Sequence, residues 1–335
     1  MLYLHGIGHF HPETIIDNAF LASLEIGVDL NWIEERVGIT ERRTTLSLDY
    51  IRKTKNRDTR AASEGSTVST MDMGREAVLL ALQRAGLNAG DIGMVVAGGC
   101  TPEMLIPAEA SRVAASLGIE AQALDVQAAC ASFATQVHFL NQMRPETLPE
   151  FILVVNVEAF TRTINYADRG SAVLFGDGAS AAIFSSRNPS PHVVLSTSFM
   201  ADPSGYDKVV IPAGGHFEQD GHAVQMFAIR KTSELFERMR QDSDLLGTAR
   251  QVFIGHQANL RMLQSVCKRL GIAESNHLSN IRKFGNCGAV GAPSVLSQNW
   301  EKLDRAVINM GVVGSGLAWG SVRMTKNLAT QESSN

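Results

Sequence analysis

The chain has 335 residues, 44% of them hydrophobic and 19% charged, with 29 glycines and a formal net charge of −4. That allows a large core and two domains or two fused halves, while the slightly acidic balance argues against general nucleic-acid binding. No apolar run reaches the length of a bilayer span.

In chain order, residues 2–8 read as a first strand, with a turn at His11-Pro12-Glu13. Segments 18–24 and 30–37 read as short helices, the second carrying Trp32 and Arg36 on one side at i, i+4. The charge-rich stretch 47–65, with Arg52, Lys53, Lys55, Arg57 and Arg60, reads as a solvated loop or helical excursion. Ser69 is placed to cap a helix running to Gly86. Strands at 92–97, 121–126 and 151–157 then alternate with helices at 107–117 and 129–143. Segments 172–174 and 180–184 are expected to pair across Phe175-Gly176-Asp177-Gly178.

Residues 185–191 form the best linker candidate. Beyond it, strands at 193–197 and 252–254, helices at 222–240, 258–270 and 292–300, and closing strands at 306–313 and 318–324 repeat the theme. Strand–helix alternation on both sides of the linker predicts an α/β chain of two similar halves, 1–185 and 186–335, each with a mixed sheet. No residue-level repeat is visible.

The N-terminus carries no basic region before its apolar residues and no small-residue cleavage site, so no signal peptide is expected. Four cysteines (Cys100, Cys130, Cys267, Cys287) lack paired short spacing. They fit a reducing cytoplasm better than a disulfide framework or zinc site. Cys130 falls at a strand-to-helix corner, where free N–H groups and the helix dipole favour a thiolate. A nucleophile and a buried structural cysteine both fit that placement. Cys100 and Cys267 read as ordinary core or helix residues, and Cys287 as a neighbour of Cys130.

Three features of the second half bear on that choice. His256 stands where a buried strand ends and a helix begins, in Phe253-Ile-Gly-His-Gln-Ala-Asn-Leu-Arg261. Asn286 precedes a helix in the small-residue loop 284–293. Residues 311–320 form a glycine-rich turn between strands, with no helix after it to make a dinucleotide loop.

Together with Ala-Cys-Ala-x-Phe around Cys130, Asp168-Arg169-Gly170 and Phe175-Gly-Asp-Gly-Ala179, these segments resemble the β-ketoacyl-acyl-carrier-protein synthase III family. The resemblance runs in order from Gly6 to about Arg323 and includes Trp32, residues 38–43 and Thr101-Pro102. It implies the thiolase fold, an α/β architecture layered αβαβα. It also implies that Cys130 is acylated by a thioester starter, with the backbone N–H groups of Cys130 and Gly316 meeting the oxyanion. His256 and Asn286 would stabilise the enolate formed as a malonyl-acyl-carrier protein loses carbon dioxide.

By the same carry-over, Trp32, Arg36, Arg169 and Asn259 border a pantetheine arm from coenzyme A or acyl carrier protein. Arg261 and Lys268 are candidates for gripping the acidic carrier. A homodimer is expected, with residues 101–107 shaping the partner's pocket, and no metal or redox cofactor is called for. Ser132 replaces a usual glycine, Leu317 a usual aromatic beside the oxyanion loop, and Ile106 the aromatic that closes the acyl pocket. Cys287 stands where threonine is common. These departures suggest a starter other than acetyl, such as an ω-carboxylated precursor of biotin or a medium-chain group of secondary metabolism.

The rival reading is an acyltransferase of the same fold that passes the acyl group to an oxygen or nitrogen nucleophile. Such relatives tend to lose the asparagine present here. A non-catalytic partner subunit would lack Cys130 or His256. A metal site at His5, His9 and His11 is disfavoured, since no carboxylate or cysteine accompanies them.

Overall fold

The computed structural model describes residues 1–241, 249–303 and 305–326. The chain opens with β1 (Leu2–Phe10), β2 (Ile15–Asp17), α1 (Asn18–Ala22), α2 (Leu30–Val37) and β3 (Glu41–Arg43). Helices α3 (Leu48–Thr54), α4 (Thr59–Glu64) and α5 (Thr70–Ala85) follow, then β4 (Ile92–Gly98), α6 (Glu109–Ser116) and β5 (Gln122–Asp125). Next come α7 (Ser132–Gln142), β6 (Phe151–Glu158), α8 (Arg169–Ala172) and β7 (Gly178–Ser185). The remainder runs β8 (Val193–Ala201), β9 (Val209–Val210), β10 (Glu218–Gln219), α9 (Gly221–Gln241) and β11 (Arg250–Gly255). It closes with α10 (Leu260–Leu270), α11 (Ile281–Phe284), α12 (Gly291–Gln298), β12 (Ala306–Gly314) and β13 (Ala318–Lys326).

Nine strands are joined in the order β11-β12-β13-β8-β1-β7-β6-β4-β5. One pattern occurs twice along it. β4 is parallel to β6, which is antiparallel to β7, which is antiparallel to β1. β11, β12, β13 and β8 repeat those three relations. β5, parallel to β4, has as its counterpart only a parallel bridge between Phe253 and His277. The duplication absent at the residue level is therefore present in the topology. The two sheets are not separate, because β1 and β8 join them across Leu2–Val194 and Tyr3–Val193.

The layers follow from which helix faces are apolar. Met73, Ala77 and Ala81 of α5 and Val113 of α6 pack with Val95, Val155 and Ile183 on the outer face of the first half. Phe236 of α9 and Val266 of α10 cover Phe253 on the outer face of the second. Helices α7 and α12 lie between: Phe133, Val137, Val295 and Leu296 share one core with Val154 and Phe184 from one half and Ile308 and Val322 from the other. Truncating Phe133 to alanine would cost about 3–5 kcal/mol by the usual toll of an unfilled core.

Two expectations need correction. Helix α7 starts at Ser132 with Ala131 as its cap, so Cys130 precedes the helix rather than opening it. Residues 172–174 do not form a hairpin strand. Asp168 caps the short α8 through Gly170 N and Ser171 N, and β7 pairs with β6 and β1 instead. Of the two readings of 47–65, the helical excursion holds, as two capped helices. Ile51 and Ala62 are buried there, and Asn56 Nδ2 donates to the carbonyls of Arg162 and Ile164 at 2.9 Å each. Its charges occupy the outer face and masked an apolar inner one in the sequence.

Candidate active site

Adjacent parallel strands end at one edge of a sheet, and the loops leaving them converge there. β4 and β5 deliver the loops carrying Cys100 and Cys130, and β6 ends at Glu158 in the same place. β11 delivers His256, and the turn before α12 delivers Asn286. Since α7 and α12 are both sandwiched between the sheets, Cys130 and Asn286 occupy matching positions in the two halves.

The turn at Cys130 is strained and braced. Ala129 has a φ of 46°, a left-handed conformation that side chains other than glycine seldom adopt. The Ser132 hydroxyl donates to the Ala129 carbonyl at 2.6 Å and accepts from Ala128 N at 2.9 Å, holding both sides of the bend. Gly314 supports it from β12, where an added Cβ would stand 2.9 Å from Ala131 N and 3.0 Å from Cys130 N. Gly316, two residues on, has a φ of 112° and needs glycine for its conformation.

His256 is 5% exposed and lines the same cavity as Cys130. Its neighbour Gln257 is fully buried, donates to Gly255 O at 2.7 Å and accepts from Ser279 Oγ at 2.7 Å, which fixes the strand end. Asn286 is 7% exposed, and its backbone is pinned by Asn286 N to Leu174 O at 2.8 Å and Gly176 N to Asn286 O at 3.1 Å. Gly288 N donates to Asn286 Oδ1 at 2.9 Å. The amide oxygen is thus engaged, and Nδ2 is the atom left to donate into the site.

Cys130, His256 and Asn286 line one cavity of about 770 Å³. Trp32, Arg36, Arg169, Asn259 and Leu317 line it as well. The Arg169 guanidinium lies 5.5 Å from the Trp32 ring centroid. Asn259 spends its carboxamide oxygen capping α10 through Arg261 N and Met262 N, and its nitrogen reaches Arg36 O at 3.4 Å. Gly316 sits between the lining residues Ser315 and Leu317. Ile106 stands elsewhere, 84% exposed. Arg261 is outside the cavity lining and donates to Glu34 O at 2.8 Å, while Lys268 is exposed in the last turn of α10.

Sequence reasoning missed the groups behind the nucleophile. Cys100 is not an ordinary core residue, since its thiol donates to Glu158 Oε1 at 3.4 Å. Hydrogen bonding from Cys100 is the first cause holding the Cys130 thiol well below its usual range. Burial opposes it, and the charge and hydrogen bond of His256 add to it. Cys100 is pushed well above the usual range, first by the bond to Cys130 and then by burial. Glu158 is pushed up to about 7, chiefly by burial and then by the charge on Cys130. Cys287 faces away, its thiol directed at the carbonyls of Phe284 and Asp177 at 3.3 and 3.7 Å.

His5, His9 and His11 turn to different partners: Asn188 O, Ser297 Oγ and Asp177 O. Among the described residues, no three His, Cys, Asp or Glu side chains are grouped to hold a metal ion, and no helix is long and apolar enough to cross a membrane.

Comparison with known proteins gives a consistent match. Residues 124–203 match the family described as 3-oxoacyl-[acyl-carrier-protein (ACP)] synthase III, and residues 244–326 match its C-terminal counterpart. The chain is 32% identical over 336 residues to a β-ketoacyl-[acyl-carrier-protein] synthase III of Clostridioides difficile, covering 94% of this chain and 95% of that one. It is also 32% identical over 336 residues to the protein of that name from Syntrophomonas wolfei, covering 95% of each. Among solved structures, the 3-oxoacyl-(acyl carrier protein) synthase III of Pseudomonas aeruginosa superposes with a TM-score of 0.82 at 27% identity, covering 98% of this chain and 99% of that one. The Aquifex aeolicus synthase III superposes with a TM-score of 0.85 at 24% identity, covering 97% and 100%, and supports the fold.

Proposed function

The chain belongs to the 3-oxoacyl-[acyl-carrier-protein] synthase III family, and from that premise we propose how its residues divide the condensation of an acyl thioester with malonyl-acyl-carrier protein. The Cys130 thiolate attacks the starter thioester, forming an acyl–sulfur bond and releasing the carrier thiol. The oxyanion of that step is met by the N–H groups of Cys130 and Gly316. The malonyl thioester then enters the emptied cavity and loses carbon dioxide. Its carbonyl oxygen, becoming an enolate, accepts hydrogen bonds from His256 and Asn286 Nδ2. The enolate carbon attacks the acyl group on Cys130, forming the carbon–carbon bond and returning the thiolate.

One observation carries this reading: the nucleophile and the two enolate donors share a cavity, with the Asn286 oxygen occupied by Gly288 N. Each donor aimed at developing charge in a closed site is worth about 3–4 kcal/mol. The sequence of steps calls for no metal or redox cofactor. Trp32, Arg36 and Arg169 at the exposed end, with Asn259 beside them, are assigned to the pantetheine arm. Arg261 and Lys268 are assigned to the acidic carrier, Arg261 after parting from Glu34.

The finer assignments rest on the family pattern. The active species is a homodimer in the cytoplasm, with Ile106 reaching the partner's acyl pocket. The starter is longer than acetyl or functionalised, since Ile106 and Leu317 replace bulkier aromatics. Competition of acyl-coenzyme A starters for one malonyl-carrier pool tests this. Longer or ω-carboxylated starters are expected to win, and a wide preference for acetyl would overturn the assignment.

A further inference from the structure

The hairpin β9–β10 has too little sheet to hold its own shape. Its strands pair through Glu218 with Val210 and Gln219 with Val209, and a two-stranded ribbon of that size is marginal at best in water. Yet Val209 and Phe217 line the cavity that holds Cys130, His256 and Asn286. On one side the Ser315 hydroxyl, in the turn between β12 and β13, donates to Val209 O at 2.5 Å. On the other, Phe217 N donates to Thr163 O at 2.9 Å, and the ring centroids of Phe217 and Phe175 are 4.5 Å apart. The Phe175 backbone pairs with Asn286. The hairpin therefore links the Gly316 turn to the segment beside the enolate donor.

The tip of the hairpin is held by the 47–65 excursion. Between α3 and α4 the chain turns back through Lys55 and Asn56, both left-handed at φ 54° and 50°. Asn56 is fully buried, donates through Nδ2 to the carbonyls of Arg162 and Ile164, and accepts from the Tyr50 hydroxyl at 3.2 Å. Its own carbonyl faces the hairpin, with His216 Nε2 at 2.7 Å. A carbonyl can only accept, so that ring nitrogen carries the proton. Thr59 Oγ1, in the first turn of α4, donates to Gly214 O at 2.8 Å. Ile51 and Ala62 of the excursion share one apolar cluster with Phe160, Phe175 and Phe217, so excursion and cavity wall are packed together.

We propose that the excursion sets how bulky an acyl group can reach Cys130. Phe217 is the side chain that excludes bulk beside the thioester carbonyl, and His216 and Thr59 are positioning residues that hold it in place. This rests on Cys130 being acylated in that cavity. Phe217 borders the cavity next to the segment carrying Asn286, so a substituent on the carbon beside the carbonyl meets a wall of Val209, Phe175 and Phe217. That wall is apolar and discriminates by size. One methylene more or less in such a pocket changes selectivity about 10–200-fold. The discrimination needs a ring that cannot swing aside. Phe217 is fixed by its own amide at Thr163 O and, one residue earlier, by the His216 imidazole at Asn56 O.

The test is the rate at which Cys130 of the full chain is acylated by butyryl- and isobutyryl-coenzyme A, read by intact mass. These isomers differ by a branch beside the carbonyl, and comparing their rate ratio between variants cancels the intrinsic reactivity of each. Phe217→Ala is expected to raise the branched-to-straight ratio about tenfold or more. His216→Ala combined with Thr59→Ala, which removes both side-chain ties, should move the ratio the same way. His216→Gln, which keeps a donor for Asn56 O, should keep the native ratio. A native ratio in Phe217→Ala, or in the His216 and Thr59 double variant, would overturn the proposal. A merely structural role would lower the melting temperature or slow both thioesters alike, with the ratio unmoved. Should Phe217→Ala fail to fold, Phe217→Leu gives the same reading with a smaller rise. If neither thioester acylates Cys130, the family reading fails instead. The ratio of alkylation by iodoacetamide and its bulkier N-cyclohexyl derivative then measures the room beside the thiol, with the same order of variants expected and a ratio equal to native overturning the proposal.

Discussion

Asn286 Oδ1 accepts from Gly288 N at 2.9 Å, and this one contact decides which end of the carboxamide faces the substrate. Asn286→Asp keeps an acceptor for Gly288 N but replaces the donor with an oxygen that repels an enolate. Condensation is expected to fall about 10²–10³-fold, as for loss of an oxyanion donor, while acylation of Cys130 continues. Stopped-flow acylation and steady-state condensation, measured on the same sample, would separate the two steps. Equal loss of both would place Asn286 outside the enolate step.

The Ser132 hydroxyl spans the bend that presents Cys130. Ser132→Ala leaves the Ala128 amide without its partner and is expected to destabilise the fold by about 1–3 kcal/mol, the toll of an unmet buried donor. A lower melting temperature with slower alkylation of Cys130 would be the signature. An unchanged melt would mean the bend holds without the hydroxyl.

Gly314 lies against the same bend from the opposite side. Gly314→Ala puts a methyl at about the separation of a hard contact from two backbone nitrogens, where real Cβ atoms are rarely found. Either β12 or the Cys130 turn must shift, and displacement of an ångström costs on the order of 100-fold in rate. The acylation rate should drop, with the far-ultraviolet circular dichroism unchanged.

Acid stability carries a separate signal. Burial, the largest cause in each case, lowers His11 to about 3 and His9 to about 4 from an ordinary 6.5. Both folded-state values lie below the unfolded one, so folding favours the neutral rings. Their contribution is complete above about pH 6.5 and is lost as the pH falls toward 4 and then 3. His11→Gln removes the larger share, of the order of several kcal/mol. Because Glu158 and Asp177 are shifted upward and act in the opposite direction, the difference between native and variant is the quantity to follow. That difference in melting temperature should narrow as the pH falls below about 6; a constant gap would rule out the linkage.

Most of the frame was legible in the residues. Ser69 and Gly86 bracket α5 as expected, with the serine accepting from Asp72 N and the glycine left-handed. Cys130, His256 and Asn286 stood out because each sits where a strand or small-residue loop gives way to a helix. Cys100 could not be found by spacing. It lies thirty residues before Cys130 and meets it only because β4 and β5 run parallel and end together. The hairpin expected around Phe175-Gly176 failed for a related reason. That backbone pairs with Asn286, over a hundred residues away, and a tight glycine turn looks the same whether its neighbour is local or distant. The helical excursion of 47–65 was legible, with Ser47 and Asp58 as its N-caps, but charges on its outer face hid the inner one that buries Ile51 and Ala62.

The most direct test of the account is the intact mass of the protein after exposure to a panel of acyl-coenzyme A thioesters, followed by malonyl-acyl-carrier protein. The account predicts a single acyl adduct, mapped to Cys130 and absent from Cys130→Ala. On addition of the malonyl carrier the adduct should disappear as a chain-extended β-ketoacyl thioester forms. An adduct that survives the malonyl carrier and is discharged by an alcohol or amine, or no adduct from any donor, would contradict it.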